Sequence, residues 1–159
     1  KKKLLFICAL VMAAIYVCYY FPGPNHIEIL IGLSAFGGFF SGPLSPIIWA
    51  MYADIADHAE WKTGTRATGL FFSAATFAQK MGWTIGGAVT GWLLGWWGFE
   101  ANIAQSAETI DGIKKLLSWI PATLAVITGS LVLLYTIDDK LMVKIEEELK
   151  ERRAKEASD

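Results

Sequence analysis

The sequence has only two histidines and two cysteines, and neither pair is placed for chemistry. The histidines do not share a helix face, and His58 alone amid carboxylates matches no zinc spacing. Cys8 and Cys18 lie in one apolar run, where ten residues of helix separate them by about 15 Å, too far for a disulfide. Phosphate loop and nucleophile elbow are missing, and no basic patch interleaved with aromatics offers a surface to nucleic acid. These absences argue against an enzyme, a resident metal and a cofactor. Charge too is missing over long stretches, because the 14 basic and 15 acidic residues crowd into a few short segments.

What fills those stretches is apolar: 54% of residues are hydrophobic and the mean hydropathy is positive. Four runs are long enough to cross a bilayer, at residues 4–21, 27–53, 67–99 and 116–137, followed by a charged helical tail at 138–159. The first would cover roughly 27 Å of a hydrocarbon core of about 30 Å. An all-α membrane protein with four transmembrane helices is expected. Lys1 to Lys3, Lys62, Arg66 and the tail carry most of the basic charge, whereas the linkers "PGPNH" and "EANIAQSAETIDG" carry none. The positive-inside rule then puts both termini and the "DIADHAEWKTGTR" linker in the cytoplasm. Lys114 and Lys115 oppose this count, but can snorkel to the outer interface.

Within the second run, Pro43 and Pro46 each remove an amide donor, giving either a tolerated kink or an unwound turn lining a cavity. Gly87, Gly91 and Gly95 recur every four residues and mark a face for close helix packing. Trp92, Trp96 and Trp97 suit the outer interface, with ligand stacking as the alternative. In the tail, Leu141, Ile145 and Leu149 repeat at four-residue spacing, and Glu146–Lys150, Glu148–Arg152 and Glu151–Lys155 are stabilising pairs of a solvated helix.

The oddest residue is Lys80, inside the third run without an acidic neighbour. A lysine near a helix centre costs about 2.5 to 3.5 kcal/mol, so it should face a partner or a water-filled cavity. Glu28, Glu100 and Asp54 are at run ends, none at its depth. Lys80 is therefore neutral by desolvation, paired with a carboxylate outside this chain, or snorkelled to the interface. Thr76 and Ser73, with Phe72, continue its face over the preceding turns, and such a stripe could bind a polyol or a neighbouring helix.

The stretch "MYADIADHAEWKTGTRATGLFFSAATFAQKMGWTIGG" resembles the glycoside-pentoside-hexuronide:cation symporters, the melibiose permease-like branch of the major facilitator superfamily. The likeness is carried by Asp54, Asp57, Glu60, Trp61, Lys62 and Arg66, then Lys80 with Gly82 in the following helix, and extends over residues 1 to about 150. It implies a major facilitator fold of two six-helix bundles, of which this chain is helices nine to twelve, in the C-terminal bundle. It further implies an inner-membrane carrier that couples a sugar to Na⁺, Li⁺ or H⁺, with the N-terminal helices as the absent partner. Lys80 and Thr76 would then face the sugar and cation sites, and Asp54, Asp57 and Arg66, with Glu60 beside them, would form a cytoplasmic gate. Where galactoside carriers have a sugar-stacking tryptophan this chain has Ser45, with Trp49 one turn later, which puts galactoside specificity in doubt. The competing expectation is a self-contained four-helix membrane scaffold or assembly subunit without transport activity.

Overall fold

The computed structural model describes residues 1–23 and 26–156, the side chain of Glu156 apart. Pro24 and Asn25 of the first linker and the last three tail residues lie outside them. Among the described residues the chain is helical without strands: α1 Lys2–Cys18, α2 Ile27–Ser41, α3 Leu44–Thr63, α4 Thr68–Trp96, α5 Ala107–Leu117, α6 Trp119–Val132 and α7 Asp139–Glu156.

Two sequence features divide the expected runs. The second run becomes α2 and α3, since Pro43 cannot donate to the carbonyl one turn earlier. Gly42 and Pro43 nevertheless keep right-handed helical backbone, and Gly42 N–H still donates to the Gly38 carbonyl at 3.0 Å. The feature is thus a kink and not an unwound turn. α3 then continues through the charged linker until Gly64 ends it in the left-handed conformation, at φ 70°. The fourth run is interrupted in the same way: Pro121 has no amide for the Leu117 carbonyl, and the break falls at Ser118. There the buried Ser118 hydroxyl donates to the Lys114 carbonyl at 2.6 Å.

α5 corrects the reading of "EANIAQSAETIDG" as a plain linker. Its start is signalled by Ser106, whose Oγ accepts from the Thr109 amide at 3.1 Å, and its last turn carries Lys114 and Lys115. Both lysines meet partners within the chain. Lys115 pairs with Asp111 at 2.6 Å, and Lys114 lies 5.9 Å from the centroid of the Tyr20 ring. Thr109 also donates to the Trp97 carbonyl at 2.6 Å, drawing α5 back onto the end of α4. A Cβ on Gly112 would collide with the Trp97 indole. Gly112→Ala is therefore expected to cost about 1 to 3 kcal/mol and to lower the melting temperature in detergent.

Packing is uneven. α1 makes its largest interface with α6 and a smaller one with α2, while α3 touches α4 and α7. Glycines permit the close approaches: Gly129 faces Ala9 and Phe6, and Gly37 faces Ile15 and Met12. α4 has no buried residue. Its Gly87, Gly91 and Gly95 meet nothing within 4 Å, so the packing expected of them is not made by any described residue of this chain. By length and composition two stretches can cross a membrane, Ile27–Thr63 and Ala107–Val132. Of the other expected crossings, α1 is only 17 residues long, and in α4 the hydroxyl, amide, glycine and lysine positions dilute the apolar content.

Candidate functional site

Lys1 and α7 share one end of the molecule with the C-terminal halves of α3 and α6. Lys1 Nζ donates to both Asp54 oxygens at 2.8 and 2.7 Å, and Lys2 Nζ donates to the Tyr135 carbonyl at 2.9 Å. The opposite end holds Tyr20, whose hydroxyl donates to Asp111 at 2.8 Å, and the Trp97 anchor. Residues flagged from sequence fall into two groups, one midway along α4 and one at the Lys1 end.

The first group centres on Lys80. Phe72, Ser73, Thr76, Phe77 and Lys80 line an open concavity of about 470 Å³ on α4. Helical spacing explains the grouping, since positions 72, 73, 76, 77 and 80 share one side. Lys80 is exposed, and none of the ion pairs among the described residues includes it. Thr76 spends its proton on the Phe72 carbonyl at 2.8 Å, which leaves its oxygen free to accept. Thr84 does the same to the Lys80 carbonyl at 3.0 Å.

Trp49 belongs to this group through Phe72. Their rings are parallel to within 5° with centroids 5.9 Å apart, and Tyr52 meets the indole edge-on at 5.7 Å. Phe72 therefore separates Trp49 from the rest of the stripe. Ser45 is exposed in the first turn of α3, a turn before Trp49, and does not line the concavity.

The second group splits. Asp54 is buried and held by Lys1, with the Tyr135 hydroxyl donating at 3.5 Å. Glu60, also buried, is gripped by Arg153, whose Nε and Nη2 donate to its two oxygens at 3.1 and 2.7 Å. The same Nη2 lies 3.5 Å from Asp57. Hydrogen bonds to Glu60 and the field of the two carboxylates hold the Arg153 guanidinium above its ordinary pKa. Arg66, just past Gly64, is exposed and forms none of the ion pairs present among the described residues.

Arg153 and Lys1 are the charged residues that the sequence reading did not assign to this group. A signal existed for the tail, because Leu141, Ile145 and Leu149 are apolar on one face. That face is not solvated. Met142, Ile145 and Leu149 are buried against Trp61, Ile137 and Leu141, and Ile145 is 0% exposed. Glu148 does approach Arg152 at 3.9 Å as its spacing suggested, but its shorter bond, 2.6 Å, is from the Trp61 indole N–H.

The family model described as MFS/sugar transport protein matches residues 1–139. An isoprimeverose transporter of Lactiplantibacillus pentosus is 39% identical over 73% of this chain and 24% of its own length. In Escherichia coli K12 a protein provisionally named glycoside/cation symporter YagG is 32% identical, covering 82% of this chain and 28% of itself. A protein of Salmonella typhimurium LT2, provisionally named a 2,3-dihydroxypropane-1-sulfonate exporter, is 31% identical over 96% of this chain and 33% of its own length. The chain thus spans a third or less of these curated relatives. No solved structure matches it at comparable stringency. With most of its length fitting that family model, and with an all-helical framework, the chain belongs to the MFS/sugar transport protein family.

Proposed function

We propose that this chain forms the C-terminal part of a sugar:cation symporter, in which a polar stripe on α4 lines the substrate path and charged residues at the Lys1 end close it toward the cytoplasm. The observation that carries the reading is Lys80, a lysine midway along α4 that forms no ion pair among the described residues and borders a concavity with a hydroxyl acceptor and aromatic walls. Such a lysine should face protein or water, not lipid. The relatives named as a transporter and a glycoside/cation symporter support the same reading. They equally support a carrier over an enzyme.

In this reading the missing N-terminal helices supply the opposite wall, and rocking of the two halves gives alternating access. The Lys80 ammonium donates to a sugar hydroxyl or balances a cation-site carboxylate of the other half, while Thr76 accepts from a hydroxyl. Trp49 acts behind Phe72, fixing the angle of the ring that meets the sugar. Asp54, Asp57, Glu60 and Arg66 serve the cytoplasmic gate, and both ends of the chain lie in the cytoplasm of a plasma-membrane protein. The coupling ion is Na⁺, Li⁺ or H⁺.

An anionic sugar derivative as cargo is a second reading, favoured by the cationic head of Lys80 and by the sulfonate carrier among the relatives. One assay tests both: uptake of neutral, carboxylated and sulfonated labelled sugars by vesicles containing the full-length protein, with imposed Na⁺, Li⁺ or proton gradients. At least one sugar is expected to accumulate several-fold in response to a single gradient. A full-length protein that inserts correctly and moves none of them supports the scaffold instead.

A further inference from the structure

The cytoplasmic gate proposed above contains carboxylates of two different kinds. Glu60 has both oxygens occupied by Arg153, and its side chain is only 9% exposed. Asp57 meets the same guanidinium once, at 3.5 Å, and remains 34% exposed. Trp61 closes the arrangement, its indole N–H donating to Glu148 at 2.6 Å and its carbonyl accepting from Arg152 at 3.1 Å. Asp57, Glu60 and Trp61 stand three and four residues apart, on one face of α3. Against that face α7 presents Glu148, Arg152 and Arg153 beside the buried Ile145 and Leu149.

The geometry points to Arg153 as a positioning residue of the gate: it ties α7 to α3 through Glu60 and thereby sets the position of Asp57, the carboxylate left to exchange partners. Releasing Glu60 would break two charge-assisted hydrogen bonds and strip a buried carboxylate of its partner, a change that costs tenfold or more in a pairing equilibrium. It would also open the apolar cluster around Ile145. Releasing Asp57 loses one long contact at a half-exposed site. Glu60 is therefore a fixed anchor, and Asp57 alternates between Arg153 and a cation of the opposite half. This assignment rests on the transport reading for the word gate, but the docking of α7 does not.

The test uses the full-length protein without its native cysteines, in inside-out vesicles, with an impermeant maleimide. Lys144→Cys should react readily, whereas Ile145→Cys, and Leu149→Cys as a second reporter, should react at least about tenfold more slowly. Adding Glu60→Ala should speed the buried reporters about tenfold, and the charge swap Glu60→Arg with Arg153→Glu should slow them again. Equal rates at 144 and 145, or reporters indifferent to Glu60→Ala, overturn the assignment.

For the gate itself, Thr76→Cys reports cytoplasmic access. Glu60→Ala and Arg153→Ala should shift its rate in the same direction, the double variant no further than either single one, and Arg153→Lys should restore part of the shift. Additive shifts, or none, remove Arg153 from the gate. If the full-length protein with Thr76 intact accumulates none of the labelled sugars under any imposed gradient, the transport reading falls, and the rates at 145 and 149 still decide whether α7 is docked through Glu60.

Discussion

In the transport reading, replacing Lys80 by alanine in the full-length protein is expected to lower gradient-driven sugar uptake about a hundredfold, a loss near 2.7 kcal/mol, while the protein still reaches the membrane. The size follows from what the residue is for. An ammonium in an apolar helix is tolerated only if its environment returns the insertion penalty of about 2.5 to 3.5 kcal/mol, and in this reading that environment is sugar, coupling ion and the opposite half. Removing it loses that interaction. Folding should not suffer, because Lys80 is exposed and no ion pair among the described residues uses it. Lys80→Arg keeps the charge but changes its shape and reach, so partial uptake with altered sugar preference is expected. Labelled-sugar uptake normalised to surface protein checks this, and normal uptake by the alanine variant would exclude Lys80 from the path.

The second large effect is on assembly. Gly129→Leu should cost about 3 kcal/mol and leave little folded protein in detergent. A Cβ at Gly129 would already stand 3.1 Å from the Ala9 Cβ and 3.6 Å from the Phe6 ring, so three further carbons have no room unless α1 and α6 separate. That interface is the largest between helices in the chain, and van der Waals contact is what holds helices together in lipid. Gly129→Ala should cost about 1 kcal/mol, and Ala9→Gly in the same chain should return most of it by vacating the opposing methyl. Thermal aggregation followed by size-exclusion chromatography measures all three. A leucine variant as stable as the parent would mean that α1 and α6 do not meet at Gly129.

Neighbouring glycines show why sequence pattern reaches only so far. Gly87, Gly91 and Gly95 form the more obvious small-residue stripe, yet they meet open space, and tight contacts are made instead by the isolated Gly112 and Gly129. Spacing says that a helix face can be approached closely, but not by which helix, and that helix need not belong to this chain. The tail repeats the lesson. Its apolar face was visible in Leu141, Ile145 and Leu149, but the partner, Trp61, lies far back in the sequence. Polar composition likewise hid α5, although Ser106 and the lysines of its last turn mark its ends.

The sequence by itself determined the quantities that depend on local chemistry: an all-helical membrane chain, a proline interruption in its second apolar run, the stripe of Phe72, Ser73, Thr76 and Lys80, and the family likeness carried by the charged segment. Only the tertiary structure decided which charges meet. Arg153 reaches Glu60 across 93 positions and Lys1 reaches Asp54 across 53, while Arg66, far nearer in sequence, forms none of the ion pairs seen. Helical periodicity fixes which residues share a face, whereas the pairing of distant faces follows from how whole helices pack.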